Sequence, residues 1–149
     1  MILRPGHADD ADALGALFLA ARADARFFPP LAHPVATVVP FLRDHVLPRC
    51  RFRVAEDGGR AVGFLALHAG WVEHLYVAPA AHRRGVGRAL LDDAKAASPS
   101  GLTLWCFQRN APALAFYAAQ GFVEVERTDG AGNEEREPDV RLAWRPLHR

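Results

Sequence analysis

Leu75-Tyr76-Val77-Ala78-Pro79-Ala80-Ala81-His82-Arg83-Arg84-Gly85-Val86-Gly87-Arg88-Ala89-Leu90-Leu91 passes from an apolar run through a proline and a glycine turn into residues at helical spacing. Trp71 to Val77 reads as a strand ended by Pro79, and Val86, Leu90, Ala94 and Ala97 share one helical face beyond the turn. A Gly-x-Gly turn at a helix start lets backbone amides face outward, where the helix end adds partial positive charge. That mouth suits an anion such as pyrophosphate, and Arg83, Arg84 and Arg88 can add charge-assisted hydrogen bonds. Two other phosphate motifs fail on spacing. A dinucleotide fingerprint needs glycine where Leu90 stands, and a P-loop needs a Gly-Lys-Ser/Thr ending that is absent.

Outward from this unit, Leu102 to Phe107 is a strand, Asn110 to Gln120 a helix closed by Gly121 as its C′ residue, and Phe122 to Arg127 and Val140 to Trp144 are strands. The polar, glycine-rich stretch 129–138 reads as a loop. Upstream, Arg51 to Ala55 alternates, Asp57-Gly58-Gly59-Arg60 supplies hairpin chemistry, and Ala61 to Leu67 forms the return strand. Before it, Val35, Val39, Leu42 and Val46 recur helically until Pro48, behind a loop marked by Phe27, Phe28, Pro29, Pro30 and Pro34. Leu14, Leu17, Phe18 and Ala21 outline a first helix with Asp9 and Asp10 as N-caps, and Ile2 to Arg4 is a short opening strand. The alternation of strands and helices predicts one α/β domain over 1–149, a mixed sheet covered by helices.

The length of 149 residues suits one domain with a core of its own, and an apolar content of 50% agrees. Eighteen basic against 17 acidic side chains leave a net charge of +1, which makes a broad nucleic-acid surface unexpected. Two cysteines, Cys50 and Cys106, are too few for a disulfide framework, and the opening residues lack signal-peptide character, so a reducing cytoplasm is the expectation. No stretch is long and apolar enough to span a membrane.

The run 75–91 resembles the acetyl-CoA signature of the GNAT N-acetyltransferase superfamily. Asn110-Ala111-Pro112-Ala113-Leu114-Ala115-Phe116-Tyr117-Ala118-Ala119-Gln120-Gly121-Phe122 resembles that family's second motif, Asn-x-x-Ala-x-x-Phe-Tyr-x-x-x-Gly-Phe. The likeness covers essentially the whole chain, although the first 50 residues match only in element pattern. One position departs: His82 stands where the family has Arg or Gln. The resemblance implies a mixed, mainly antiparallel sheet of six to seven strands flanked by helices on both faces. It further implies acetyl transfer from acetyl-CoA directly to a primary amine, of a small molecule or a peptide, in a ternary complex. The residues it assigns to the cofactor are Leu75, Tyr76 and Val77 by their backbone, His82, Arg83, Arg84, Gly85, Val86, Gly87 and Arg88 at the turn, and Asn110, Phe116 and Tyr117. A homodimer is implied by resemblance only.

The same resemblance maps the acid that protonates the leaving thiolate onto Tyr117, whose ordinary pKa near 10 keeps it protonated at neutral pH. An amine of pKa near 10.4 is about 3.4 units from neutral at pH 7, so freeing it costs about 4.6 kcal/mol. Glu73 is the carboxylate best placed by order to take that proton, through water because it is a weak base. His74, set by strand alternation on the opposite face, is its rival. Ser98 and Ser100 sit in no nucleophile motif, neither do Cys50 and Cys106, and the seven histidines show no metal spacing, so no metal is expected. Asp129, Glu134, Glu135, Glu137 and Asp139 could draw in a cationic amine or merely solvate a loop. Phe27, Phe28 and Trp71 could line the acceptor pocket or the core. Two rival classes use the same fold: a noncatalytic acyl-CoA sensor and a protein-interaction module.

Overall fold

In the computed structural model, which describes residues 1–146, seven strands and four helices follow one another along the chain. The strands are β1 Ile2–Pro5, β2 Arg51–Asp57, β3 Arg60–His68, β4 Trp71–Val77, β5 Leu102–Phe107, β6 Val123–Thr128 and β7 Asp139–Trp144. The helices are α1 Ala11–Ala21, a composite α2 over 35–49, α3 Val86–Ala97 and α4 Ala111–Ala119.

The turn between β2 and β3 carries positive φ at both Gly58 (59°) and Gly59 (79°), the geometry that matches strand twist in a two-residue hairpin. It fixes a register in which Val54 faces Phe64 and Phe52 faces Ala66. All seven strands form one sheet in the order β1-β2-β3-β4-β5-β7-β6. Every neighbouring pair is antiparallel except β4 and β5. This is the mixed, mainly antiparallel sheet that the resemblance implied.

Helices cover both faces. Leu14, Leu17 and Phe18 of α1, with Leu42 and Val46 of α2, bury against Phe52, Val54, Phe64 and Ala66. On the other face Val86, Leu90, Leu91 and Ala94 of α3 bury against Ala55, Leu65, Leu67 and Leu104.

Three sequence expectations change in detail. Leu91, not Ala97, completes the buried face of α3, because Ala97 lies at the helix end where the chain turns outward. Asp10 makes no side-chain cap to α1; its carboxylate is bound by Arg4 at 2.9 and 3.0 Å and by the His7 amide at 2.8 Å. Pro40 and Pro48 bring no N–H to the α2 ladder, and the segment Leu42–Val46 between them widens to π-helical pairing.

Candidate active site

The site begins where the sheet opens. β4 pairs with β5 only at Trp71 and Thr103, so the two strands diverge beyond that point. The Ala78 amide donates to Val62 O on β3 at 2.9 Å, so alternation turns the backbone groups of Leu75 and Val77 toward the gap. His82 caps this edge, its Nε2 lying 3.1 Å from Val77 O. The residue that departs from the family pattern thus ties the glycine turn to the end of β4.

Past His82 the chain reaches Gly85, at φ +78°, and enters α3. Ala89 N donates to Gly85 O at 3.0 Å, leaving the amides of Val86, Gly87 and Arg88 at the helix mouth without intrahelical acceptors. A Cβ at Gly87 would stand 3.3 Å from the Phe116 ring, so the helix approaches α4 closely only because position 87 has no side chain. A cavity of about 870 Å³ runs from this mouth along the gap. Every residue assigned to the cofactor from sequence lines it except Arg84, which pairs with Asp57 at 3.2 Å instead. Outward amides, flanking arginines and a long groove fit a phosphate-bearing cofactor with an extended arm.

Tyr117 stands at the inner end. Asn110 caps α4, its Oδ1 accepting from Ala113 N at 3.2 Å, and Gly121 closes the helix at φ +92°. Between these stops Tyr117 packs edge-on to Phe116 and Phe122 at 5.3 and 5.4 Å. It lines both the long cavity and a second one of about 490 Å³. Burial pushes its hydroxyl well above the usual tyrosine range, so it keeps its proton across the physiological range.

The second cavity holds the candidate base and its rival. Alternation predicts Glu73 and His74 on opposite faces, but β4 bulges there: Val72 faces Leu67 while His74 faces Ala66, making Glu73 the extra residue. Both therefore line the same cavity. Arg49 pairs with Glu73, and the Cys50 thiol donates to it at 3.2 Å. Burial works to raise the Glu73 carboxyl, but the hydrogen bonds from Arg49 and Cys50 outweigh it, and the group lies below its ordinary value. Burial, then the Glu73 contact, push the Cys50 thiol up to about 12, and burial does the same to Cys106. Neither thiol is a nucleophile at neutral pH.

His74 sits among Phe18, Phe41 and Tyr76, with Nδ1 shielded and without a partner among the described residues. Burial lowers it to about 4; Glu73 opposes this shift, and Arg22 and Arg49 reinforce it. Because its folded value lies below the ordinary 6.5, the unfolded chain binds the extra proton between these values. Stability is therefore expected to fall by about 3 kcal/mol as pH drops from about 6.5 to 4. Chemical denaturation of wild type and His74→Phe across this window checks it: the variant should lose this part of the slope, and an equal slope in both proteins would refute the assignment.

A third cavity, about 580 Å³, adjoins the second through His74 and Glu135 and is walled by α1, α2 and the loop 129–138. Of the five acidic residues in the 129–139 stretch, Glu134 pairs with His33 at 2.8 Å, Glu137 with Arg109 at 2.6 Å, and Asp129 caps Ala131 N. Asp139 is buried and bound by Asn133 and Thr128. Among the described residues Glu135 alone of the five lines both the second and the third cavity, and it has neither an ion-pair partner nor, unlike Asp139, a side-chain hydrogen bond. Phe28 lines the first two cavities and Phe27 the long one, whereas Trp71 lies at the β4–β5 junction and lines none of the three. The basic run Arg49, Arg51 and Arg53 is paired with Glu73 and Asp93.

Sequence reasoning missed Arg22. It follows α1, and its guanidinium carbon lies 5.5, 5.5 and 5.7 Å from the ring centres of Phe18, Phe28 and Phe107. Phe18 lies one helical turn before it, but Phe28 follows a break in the helix and Phe107 comes from β5, so the local pattern announces only one of the three rings. Among the described residues no three His, Cys, Asp or Glu side chains gather as a metal site would require, and no helix is long and apolar enough to cross a membrane.

Known proteins resemble this chain in sequence and in fold. The peptidyl-lysine N-acetyltransferase YiaC of Escherichia coli (strain K12) is 39% identical over 89 residues, 59% of this chain and 60% of that protein. The chain spans between 51% and 60% of the length of the curated relatives it matches. The solution structure of apo-form YjaB from Escherichia coli superposes with a TM-score of 0.75 at 25% identity, covering 97% of this chain and 98% of that one. Ribosomal-protein-alanine N-acetyltransferase from Brucella melitensis shares the fold, with a TM-score of 0.73 at 21% identity over 96% and 98% of the two chains. The model of the acetyltransferase (GNAT) domain matches residues 48–124, more than half of the sequence, and the chain belongs to that family.

Proposed function

We propose that this protein is an acetyl-CoA-dependent N-acetyltransferase, a single domain that passes an acetyl group directly to a primary amine of a small molecule or peptide. One observation carries the reading: the cavity at the glycine turn follows the open edge of β4 to Tyr117, and Tyr117 also lines the neighbouring cavity of Glu73. Family membership supports it, as does the lysine-acetylating activity in the name of YiaC.

In this reading acetyl-CoA supplies an activated thioester and a thiolate leaving group. The amides of Val86, Gly87 and Arg88, with Arg83 and Arg88, bind its phosphates, and the unpaired backbone groups of Leu75 and the Val77 amide orient its arm, Val77 O being held by His82. Phe28 lines both cavities and offers an apolar wall beside the reacting centre. Tyr117 Oη donates its hydrogen bond where the thiolate charge develops. The ionised Glu73 receives the amine proton through water, its charge held in place by Arg49. A reducing cytoplasm suits the two free thiols.

Calorimetric titration tests the cofactor without knowledge of the acceptor. Acetyl-CoA should bind and NAD should not. In an acceptor screen, Glu73→Gln should lower kcat about 10- to 100-fold while leaving acetyl-CoA affinity within about threefold. Absence of acetyl-CoA binding would refute the reading; binding with no turnover on any amine would favour a sensor.

A further inference from the structure

Arg22 is a cation in a cavity wall with no anion to meet. Its Nε and Nη2 are shielded from solvent and make no hydrogen bond of ordinary geometry among the described residues; the Tyr76 hydroxyl beside the guanidinium is neutral, held so by burial, and leaves the charge unpaired. No carboxylate of the described residues lies within ion-pair distance of it, although Glu135 lines the same cavity. Three ring faces offset part of the cost of holding the charge, but they leave the N–H edge of the guanidinium unsatisfied. A shielded guanidinium without an anionic partner is costly, and its planar fork matches a carboxylate in two parallel hydrogen bonds. The wall it occupies adjoins the cavity of Glu73 and lies away from the glycine turn, so the missing anion belongs to the acceptor and not to the cofactor.

We propose that the acceptor carries a carboxylate as well as its amine, as a free amino acid does, and that Arg22 binds that carboxylate while Glu135 faces the ammonium end. This rests on the acetyltransferase reading and narrows its acceptor. Arg22 and Glu135 are opposite charges that border one cavity without neutralising each other, and a zwitterion placed between them satisfies both. The aromatic and aliphatic side chains of Phe18, Leu31, Val38 and Phe41 offer an apolar seat for the remainder of such a molecule.

The test compares L-amino acids with their carboxamides as acceptors, with acetyl-CoA saturating. Removing the carboxylate lowers the pKa of the neighbouring amine, so more of the amide is free to attack at neutral pH. A preference for the acid runs against that trend and reports recognition. For the best acceptor, wild type should prefer acid over amide about 10- to 100-fold in kcat/KM. Arg22→Gln should bring the ratio within about threefold of unity with acetyl-CoA affinity intact, and Arg22→Lys should keep part of the preference. Since Arg22→Gln removes packing from three rings and could fail to fold, the wild-type ratio is decisive by itself.

A ratio near one, or equally good acetylation of a peptide without carboxylates, would overturn the proposal while leaving acetyl transfer intact. So would an unchanged preference in Arg22→Gln. Calorimetry with N-acetyl amino acids and their amides separates the two readings. If no amine is turned over yet the acids still bind through Arg22, the transfer reading fails and the carboxylate site stands.

Discussion

Replacing Tyr117 by Phe should lower kcat by 10²- to 10⁴-fold while acetyl-CoA affinity stays within about threefold. The residue is 9% exposed and lines two cavities, so the ring should pack equally well in both proteins while the donor disappears. Edge contacts with Phe116 and Phe122 hold the ring, so the variant should keep its melting temperature. Because burial raises the hydroxyl, no loss of activity from Tyr117 ionisation is expected below pH 10. Steady-state kinetics with matched calorimetry checks it. An equal loss in binding would make Tyr117 a structural residue, and an unchanged kcat would remove it from the chemistry.

The largest loss of stability is expected from Phe64→Ala. Phe64 is fully buried on β3, stacked on Phe52 at 5.2 Å and tilted against Tyr76 at 5.7 Å, beneath α1 and α2. Deleting the ring should cost about 3–5 kcal/mol, a large part of the 5–15 kcal/mol typical of a folded domain. In urea the midpoint should fall with little change in slope, since the fold is the same on both sides of the comparison. The acceptor wall should loosen too, because Tyr76 and Phe18 rest on this cluster and line the cavities beside it. A loss below about 1 kcal/mol would show that this face of the sheet does not carry the core.

How much of the molecule is legible in its sequence depends on how local each signal is. The glycine turn, the Gly121 stop and the hairpin at Gly58-Gly59 depend on backbone angles within a few residues, and the sequence announces all of them. The bulge at Glu73 is silent there, because it arises from pairing with β3 and not from any residue of β4 alone. It brings His74 to the cavity of Glu73, where simple alternation would set the two apart. Arg84 stands with its basic neighbours by adjacency, yet Asp57, distant in sequence, draws it aside. The acidic stretch looks uniform along the chain, and only the positions of His33, Arg109 and Asn133 leave Glu135 alone at the cavities.

The sequence by itself determined the fold class, the glycine turn at the mouth of α3 and the place of Tyr117 on its helix, because hydrophobic period, glycine and capping residues act over one or two turns of chain. Only the tertiary structure decided which charges are spent on one another and which remain free. The β4–β5 divergence, the shared cavity of Glu73 and His74, and the ring-bound Arg22 each join segments far apart in sequence, and such contacts leave no periodic trace along the chain.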